Sequence, residues 1–391
     1  MGKRLDVVSM RLPHRDAPAE LLGWTCPHGV ISIAVTIDPE DRSEPWRIEL
    51  KNGLSAVVEK ADPEAGHEAR LALEETAARV LDRFPAEYRH GEGRAQLGFV
   101  EVSREDDGQE EWFQAQLPLS RTEVVHNSRP YLYPLLRLLD EGAPRGVLVA
   151  SSEEARLLHW ELGSIEQLEE FELESFALDW RERRSPRPAD PSSGQGVTSS
   201  GRDQHRQRLD ANRQHFLREV GAAFAGRARE RGWEETLVLA RPELAEELRE
   251  GAGPGLALRV ADGHDLISAP AGAIQERIRE LRDGLNRERE LELIEEISER
   301  ALSGGRGALG PADVAAALWE GRAQHLVLDA DRDYSAVEVQ PPPGVEWDLE
   351  ISLPERLIEQ ALATSAQVTP AEGIAAERLA DAEGLGALLR Y

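Results

Sequence analysis

Three consecutive α/β domains are what this sequence predicts, and three observations carry that expectation. At 391 residues the chain has room for roughly two to three units of about 100–200 residues each. Short apolar runs alternate along it with four-residue apolar spacings, the signatures of strands and amphipathic helices packed in layers. One stretch, residues 181–205, is rich in Pro, Gly, Ser and Arg and nearly free of large apolar side chains. It reads as a mobile loop inserted in the second unit. The expected domains are 1–143, 144–268 and 269–391.

In the first domain, Val30–Ile37 (VISIAVTI) reads as a strand. Trp46, Leu50, Leu54 and Val58 recur every four residues, as on a helix face. Leu73, Ala77, Val80, Leu81 and Phe84 make a second such face. Gln96–Val102 and Trp112–Leu117 are expected as strands, His126-Asn127-Ser128 as a loop, and the domain closes near Asp140. In the second domain, Gly146–Ser151 reads as a buried strand, Ala155–Leu162 as the next and Phe171–Leu178 as a third. After the loop comes a long helix with Leu209, Phe216, Val220 and Phe224 on one face. Thr236–Ala240 returns as a strand, and Pro242–Glu250 is helical with proline in its first turn. The third domain opens with a helix over Ala273–Leu302, in which Ile274, Ile278, Leu281 and Leu285 are in register. Pro311–Trp319 is another helix, the run from His325 to Asp331 a strand, Gln340–Gly344 a connector, and Leu353–Thr364 a helix.

Charge narrows the function. Asp and Glu number 73 against 46 Lys and Arg, a net charge of −27. Such a surface keeps a protein soluble and repels nucleic acid as a whole. Between Arg181 and Arg218, however, nine arginines face four carboxylates. That is a local balance of +5, which leaves about −32 elsewhere. The cationic charge is concentrated in and just after one flexible segment.

Other chemistries find little support. No apolar run approaches the roughly 18 residues of a membrane helix. The start, MGKRLDVVSM, has no apolar signal core, and Asp6 stands where a myristoylation signal takes Ser or Thr. A single cysteine, Cys26, suits a reducing compartment, so a cytoplasmic protein is expected. Cys26, His28 and His14 lack a second pair at ligand spacing, and Cys26 reads as a small thiol beside a turn. Gly305, Gly307 and Gly310 have dinucleotide-motif spacing, but no strand leads into them, so they read as a glycine-rich loop between helices. Asp329-Ala-Asp331-Arg-Asp333 begins like a calcium loop, yet Tyr334 and Gln340 occupy its glycine and glutamate positions; it reads as an acidic turn. No metal or small-molecule cofactor is expected.

The segment Ser192-Ser193-Gly194-Gln195-Gly196 lies in the middle of the basic loop. Glycine lets a backbone N–H approach a ligand closely. Glutamine offers a neutral donor and acceptor able to hold a water, and flanking arginines grip phosphates. A water held against an ester, with N–H groups facing the developing oxyanion, is a hydrolytic arrangement that needs no titrating residue. The same composition also fits an ordinary arginine-rich linker.

The order of these pieces resembles the archaeo-eukaryotic class-one peptide chain release factor superfamily, and within it a bacterial branch of family-ten type. Ser193-Gly194-Gln195 matches the superfamily's Gly-Gly-Gln loop, ahead of a helix containing His205–Val220. Gly146–Gly163 resembles the opening strands of the middle domain, Gly307–Asp331 the third domain's helix and strand, and GLGALLRY its ending. Pro130–Ala150 also fits the bacterial branch. The resemblance implies an RNase H-like middle domain carrying the loop and a third domain similar to kink-turn-binding ribosomal proteins. It implies a ribosome and tRNA as partners and hydrolysis of the ester of peptidyl-tRNA. Ser193, Gly194, Gln195 and Gly196 would form the catalytic loop; Arg202, His205, Arg206, Arg208 and Arg213 would contact RNA. Ser193 replaces the first glycine of the triplet, and the first domain has no stop-codon-reading motif. Those departures point to rescue, quality control or tRNA processing rather than ordinary termination. A non-catalytic ribosome-binding module and a tRNA-cleaving nuclease are the alternatives.

Overall fold

The run VISIAVT forms strand β1 (Val30–Thr36), buried along all but its last residue. In the computed structural model, residues 10–61, 66–87, 93–105, 108–173, 200–233, 235–341, 344–345, 347 and 351–391 are described. Strand β1 pairs antiparallel with β2 (Ala95–Glu101) and β4 (Glu123–Asn127), and β2 pairs with β3 (Glu110–Ala115). The sheet order is β3-β2-β1-β4. After the short helix α1 (Ala17–Leu22), the helices that cover this sheet are α2 (Pro45–Glu59) and α3 (Gly66–Glu87). Trp46, Leu50 and Leu54 of α2 and Leu73, Ala77, Val80 and Phe84 of α3 close over Ile31, Ile33 and Val35. Spacings of three and four put each set on one helix face, while the odd-numbered β1 residues share one face of the pleat. Strand β4 corrects the loop expected at His126 and Asn127. The strand EVVHN is short and only half-buried, so two valines are its whole apolar signal. His126 Nε2 lies 2.9 Å from the His28 carbonyl oxygen.

Helix α4 (Tyr133–Glu141) precedes the passage into a second compact unit, residues 143–281. There β5 (Arg145–Ala150), β6 (Glu154–Glu161), β7 (Ser164–Glu172), β8 (Glu235–Ala240) and β9 (Leu258–Ala261) form one sheet in the order β7-β6-β5-β8-β9. Strand β6 runs antiparallel to both neighbours, and β5, β8 and β9 are parallel. That order and polarity are those of an RNase H-like sheet. The third strand starts at Ser164, not Phe171 as the sequence led us to expect. Leu162 and Gly163, with φ of 49° and 81°, make a two-residue hairpin turn of the kind that matches strand twist. Only Phe171 of β7 is buried, because an exposed edge strand lined with glutamates shows no apolar alternation.

Helices α5 (Ser200–Arg231) and α6 (Ala245–Ala252) pack in the same unit. A Cβ on Gly221 would overlap the Leu248 carbonyl oxygen, and one on Gly251 that of Arg218. The two backbones therefore approach where no side chain fits. Phe216, Leu217, Val220, Phe224 and Ala228 of α5 pack on Leu148, Leu157 and Val238 of the sheet.

Helix α7 (Ala271–Leu302) returns the chain to the first unit, which comprises residues 1–142 and 282–391. Its second sheet contains β10 (Gly307–Leu309), β11 (Ala323–Asp329), β12 (Gln367–Ala371) and β13 (Leu385–Leu389) in the order β10-β13-β11-β12. Helix α8 (Pro311–Trp319) lies before β11, α9 (Leu353–Ala363) joins β11 to its parallel neighbour β12, and α10 (Gly373–Arg378) follows. Part of the expected glycine-rich loop is strand: Gly307 pairs with Leu388. A Cβ there would overlap the Ile297 carbonyl oxygen, so glycine lets the strand pass close under α7. The acidic turn after β11 is as expected, closed by Asp329 Oδ1 accepting from the Asp331 N–H at 3.0 Å. Helix α9 starts with a capping box, Ser352 and Glu355 each holding the other's backbone N–H.

A polar network ties α4 to this second sheet. Arg289 Nη2 donates to Asp140 Oδ2 at 2.5 Å and Nη1 to the Asp140 carbonyl oxygen at 3.2 Å. Thr369 Oγ1 donates to Asp140 Oδ1 at 3.1 Å. His325 Nε2 stands 2.8 Å from the same hydroxyl. Burial first, then Arg289, holds the His325 imidazole down to about 4. Among the described residues, no helix is long and apolar enough to cross a membrane.

Candidate functional site

The catalytic positions expected from the sequence, Ser193, Gly194, Gln195 and Gly196, lie outside the described residues. The structure describes the two flanks of their segment. Strand β7 ends at Glu172, and the Leu173 N–H donates to the Glu153 carbonyl oxygen at 2.8 Å. Glu153 belongs to the β5–β6 turn, where the Ser151 hydroxyl accepts from the Glu154 N–H at 2.9 Å and the Ser151 N–H donates to the Glu154 carbonyl oxygen at 2.8 Å. Helix α5 then begins at Ser200, so the last residues of the expected loop are helical.

Helix α5 is 32 residues long, about 48 Å at 1.5 Å per residue. Its C-terminal half lies on the sheet; residues 207–215 do not. From position 207 onward Phe216 is the first buried residue, and between positions 207 and 215 every residue except Arg213 is exposed. Leu209, expected in the apolar face, is 41% exposed. The apolar spacing is real, but at Leu209 the helix has run past the sheet that would cover it.

That overhang carries the arginines. At about 100° per residue, positions 202, 206 and 213 fall within about 40° of one another, on the line that Val220 and Phe224 continue into the core. Position 205 lies about 60° away and position 208 about 120° away. Arg202, His205 and Arg206 are placed here by the helix backbone alone. Arg208 is exposed. Arg213 is ion-paired with Glu153 of the turn that also anchors Leu173, and its Nη1 lies 3.9 Å from Asp210 Oδ1. The hydrogen bond to Glu153 raises the Arg213 guanidinium further above its ordinary range. One turn thus fastens the start of the segment through Leu173 and the following helix through Arg213. Glu153 was not singled out in the sequence, and a lone glutamate in a turn offers no signal by which it would have been.

Cys26 is half-buried at a turn, and burial, then Glu101, pushes its thiol up to about 11, which leaves it protonated. The ring of His159 stacks on Trp233 at 5.8 Å between centroids and accepts the indole N–H at Nδ1. That pair is part of the packing beneath β5, where a Cβ on Gly146 would overlap Trp233. Among the described residues no group of three His, Cys, Asp or Glu side chains is placed to hold a metal ion.

Comparison with known proteins adds one finding of weight. Residues 130–282 match the family model described as bacterial archaeo-eukaryotic release factor family 10. No curated protein matches the chain. Among solved structures it is similar to an archaeal translation termination factor, at 16% identity over 96% of each chain with a TM-score of 0.25. It is similar to Pelota from Archaeoglobus fulgidus at 16% identity, over 76% of this chain and 79% of that one, with a TM-score of 0.35. It is also similar to the archaeal Pelota of a ribosome-bound model with ABCE1, at 13% identity over 98% and 95% of the chains with a TM-score of 0.36. At TM-scores this low the structural likenesses carry no weight in placing the site.

Proposed function

We propose, from the premise that residues 130–282 belong to bacterial archaeo-eukaryotic release factor family 10, that this protein acts on ribosome-bound peptidyl-tRNA in the cytoplasm and hydrolyses its ester. The observation that carries the reading is positional. The family match spans the RNase H-like sheet, both flanks of the Gly-Gln segment and the arginine-bearing overhang of α5. Gln195 places the water, and the backbone at Gly194 and Gly196 turns its N–H groups toward the developing oxyanion. Ser193 shapes the approach. Arg202, His205, Arg206, Arg208 and Arg213 guide the segment along RNA phosphates. The functional domains of this reading are 1–143, 144–268 and 269–391; nearly all of the first and most of the third lie in one compact unit. No cofactor takes part in this scheme.

The test uses purified ribosomes carrying peptidyl-tRNA, with the peptide and the tRNA 3′ end both followed. Wild-type protein is expected to free the peptide and leave the tRNA intact. Gln195→Ala is expected to slow release about a hundred- to thousandfold, the usual effect of removing one oriented polar group at such a site, while ribosome binding persists. Ser193→Gly is expected to maintain or raise the rate, since glycine widens the backbone's freedom. The substitution at Ser193 also favours a second reading, a non-catalytic ribosome-binding module; firm binding with no release would decide for it. A shortened tRNA with the peptide still attached would decide for a nuclease.

A further inference from the structure

The unit formed by residues 1–142 and 282–391 contains a cavity of about 310 Å³. That volume is at the lower end of the range for small-ligand sites, about 300–1,000 Å³. Two stretches distant in sequence line it: the passage from Asn127 to Tyr133, between β4 and α4, and the first turns of α9. Leu132, Ile351 and Ile358, all buried, provide apolar lining. Tyr131 and Tyr133 stack on each other at 5.5 Å with planes 19° apart. Among the described residues neither tyrosine hydroxyl has a hydrogen-bond partner, although the Tyr131 backbone N–H is held by Ser32 Oγ at 2.9 Å.

The charges around the cavity are unequal. Among the described residues Arg129 is the single cation of the lining, and it donates to Glu359 Oε1 at 2.7 Å. Glu355 is the second carboxylate, and its partners are neutral: the Asn127 amide at 2.7 Å and the Ser352 hydroxyl at 2.8 Å. The lining is therefore one negative charge in excess. The N-terminus of α9, which would otherwise draw an anion, is closed by its own capping box. Burial first, then Glu123 among the nearby charges, raises the Tyr131 hydroxyl above its ordinary range; Glu355 and Asp331 act in the same direction and Arg121 alone opposes. Tyr133 is raised by burial too, with Glu355 and Asp329 adding to it. Both hydroxyls stay protonated, so the rings remain neutral and electron-rich.

We propose that this cavity binds an organic cation, a guanidinium or primary ammonium carried on an apolar stem. The stem would lie along Leu132, Ile351 and Ile358. The charged head would sit against the tyrosine rings, an attraction that strengthens as water is excluded. The tyrosine oxygens would accept its N–H groups, and Glu355, whose partners are neutral, would balance its charge. The site is independent of the Gly-Gln segment and of the ester hydrolysis proposed above. An arginine side chain of a partner and a free polyamine present the same chemistry.

Titration calorimetry on the full-length protein, with spermidine in one arm and an acetylated, amidated arginine peptide in the other, tests the site and separates its two sources. At least one probe is expected to bind saturably, and the tighter of the two identifies the source. Replacing both tyrosines (Tyr131→Phe with Tyr133→Phe) keeps the rings and is expected to weaken binding about tenfold by removing the acceptors. Glu355→Gln, which the capping box tolerates, is expected to weaken it by a similar factor and to flatten its salt dependence. Melting curves of the variants confirm that they are folded. No saturable binding of either probe below about 10 mM, a range that would already include very weak complexes, would overturn the proposal. Binding left unchanged in both variants would overturn it as well.

Discussion

The Thr369 hydroxyl donates its one proton to Asp140 Oδ1 and must therefore accept from His325, which fixes the imidazole proton on Nε2. Thr369→Val keeps the shape and removes both bonds. It is expected to cost about 1–3 kcal/mol, because Asp140 and His325 are each left short of a partner away from water; a urea titration reads the change, and an unchanged midpoint would show the network idle. Beside it, burial, opposed by Arg289 and reinforced by Asp140 and Glu141, raises Glu290 from 4.5 to about 7. A folded value above the unfolded one means the native state keeps a proton that the unfolded chain has released. The stability this contributes is complete below pH 4.5 and is lost as pH rises through about 7. Glu290→Gln should flatten the stability profile in that window, measured as thermal midpoints across it. Neither group was legible in the sequence. Asp140 and Thr369 lie far apart along the chain, and a carboxylate or hydroxyl gives no sign of which distant strand will bury it.

Helix α5 shows how far an element can be read from spacing alone. Phe216, Val220 and Phe224 announce the helix and its buried face, and both are present. Spacing says which face is apolar but not how far the sheet beneath it extends, so Leu209 shares the apolar face of a helix whose core ends before it. Strands β4 and β7 were missed or misplaced for a related reason: half-buried and edge strands do not alternate. In contrast, β1, α2 and α3 were legible because they cover one another completely. The overhang leads to a kinetic expectation. Amides of residues 207–215, with no apolar cover, should exchange hydrogen much faster than those of 216–228, by at least about tenfold; equal protection would mean the overhang is covered in solution. At the α5–α6 crossing, Gly221→Ala is expected to cost about 1–3 kcal/mol through overpacking against the Leu248 carbonyl. A melting temperature at or above wild type would show that the crossing opens readily.

Across the whole molecule the same chain that repels polyanions, at −27 overall, concentrates its arginines near one segment. RNA affinity should accordingly fall steeply with salt, and neutralising Arg202, Arg206 and Arg208 should lower the logarithmic salt slope by about one for each phosphate no longer neutralised. Arg213 belongs to a different test, because its ion pair with Glu153 makes it part of the scaffold. Glu153→Gln should leave the net cation count of the overhang unchanged and free the Arg213 guanidinium. Filter binding across a salt series would separate the two, and an unchanged slope in the triple variant would remove the arginines from the RNA interface. The Asp140–Arg289 pair has a consequence for how such a chain can be cut and rejoined. The chain leaves the first unit at Gly142 and re-enters at Arg282, and these two residues flank positions 140 and 289, which touch. The middle unit is in this sense an insertion between the two parts of the first, with α7 running across the second boundary. Excising residues 143–281 and bridging the gap with a short glycine-serine tether should yield a soluble protein whose two remaining sheets give native-like spectra. A collapse of that shortened chain would mean that the first unit needs its insertion to fold.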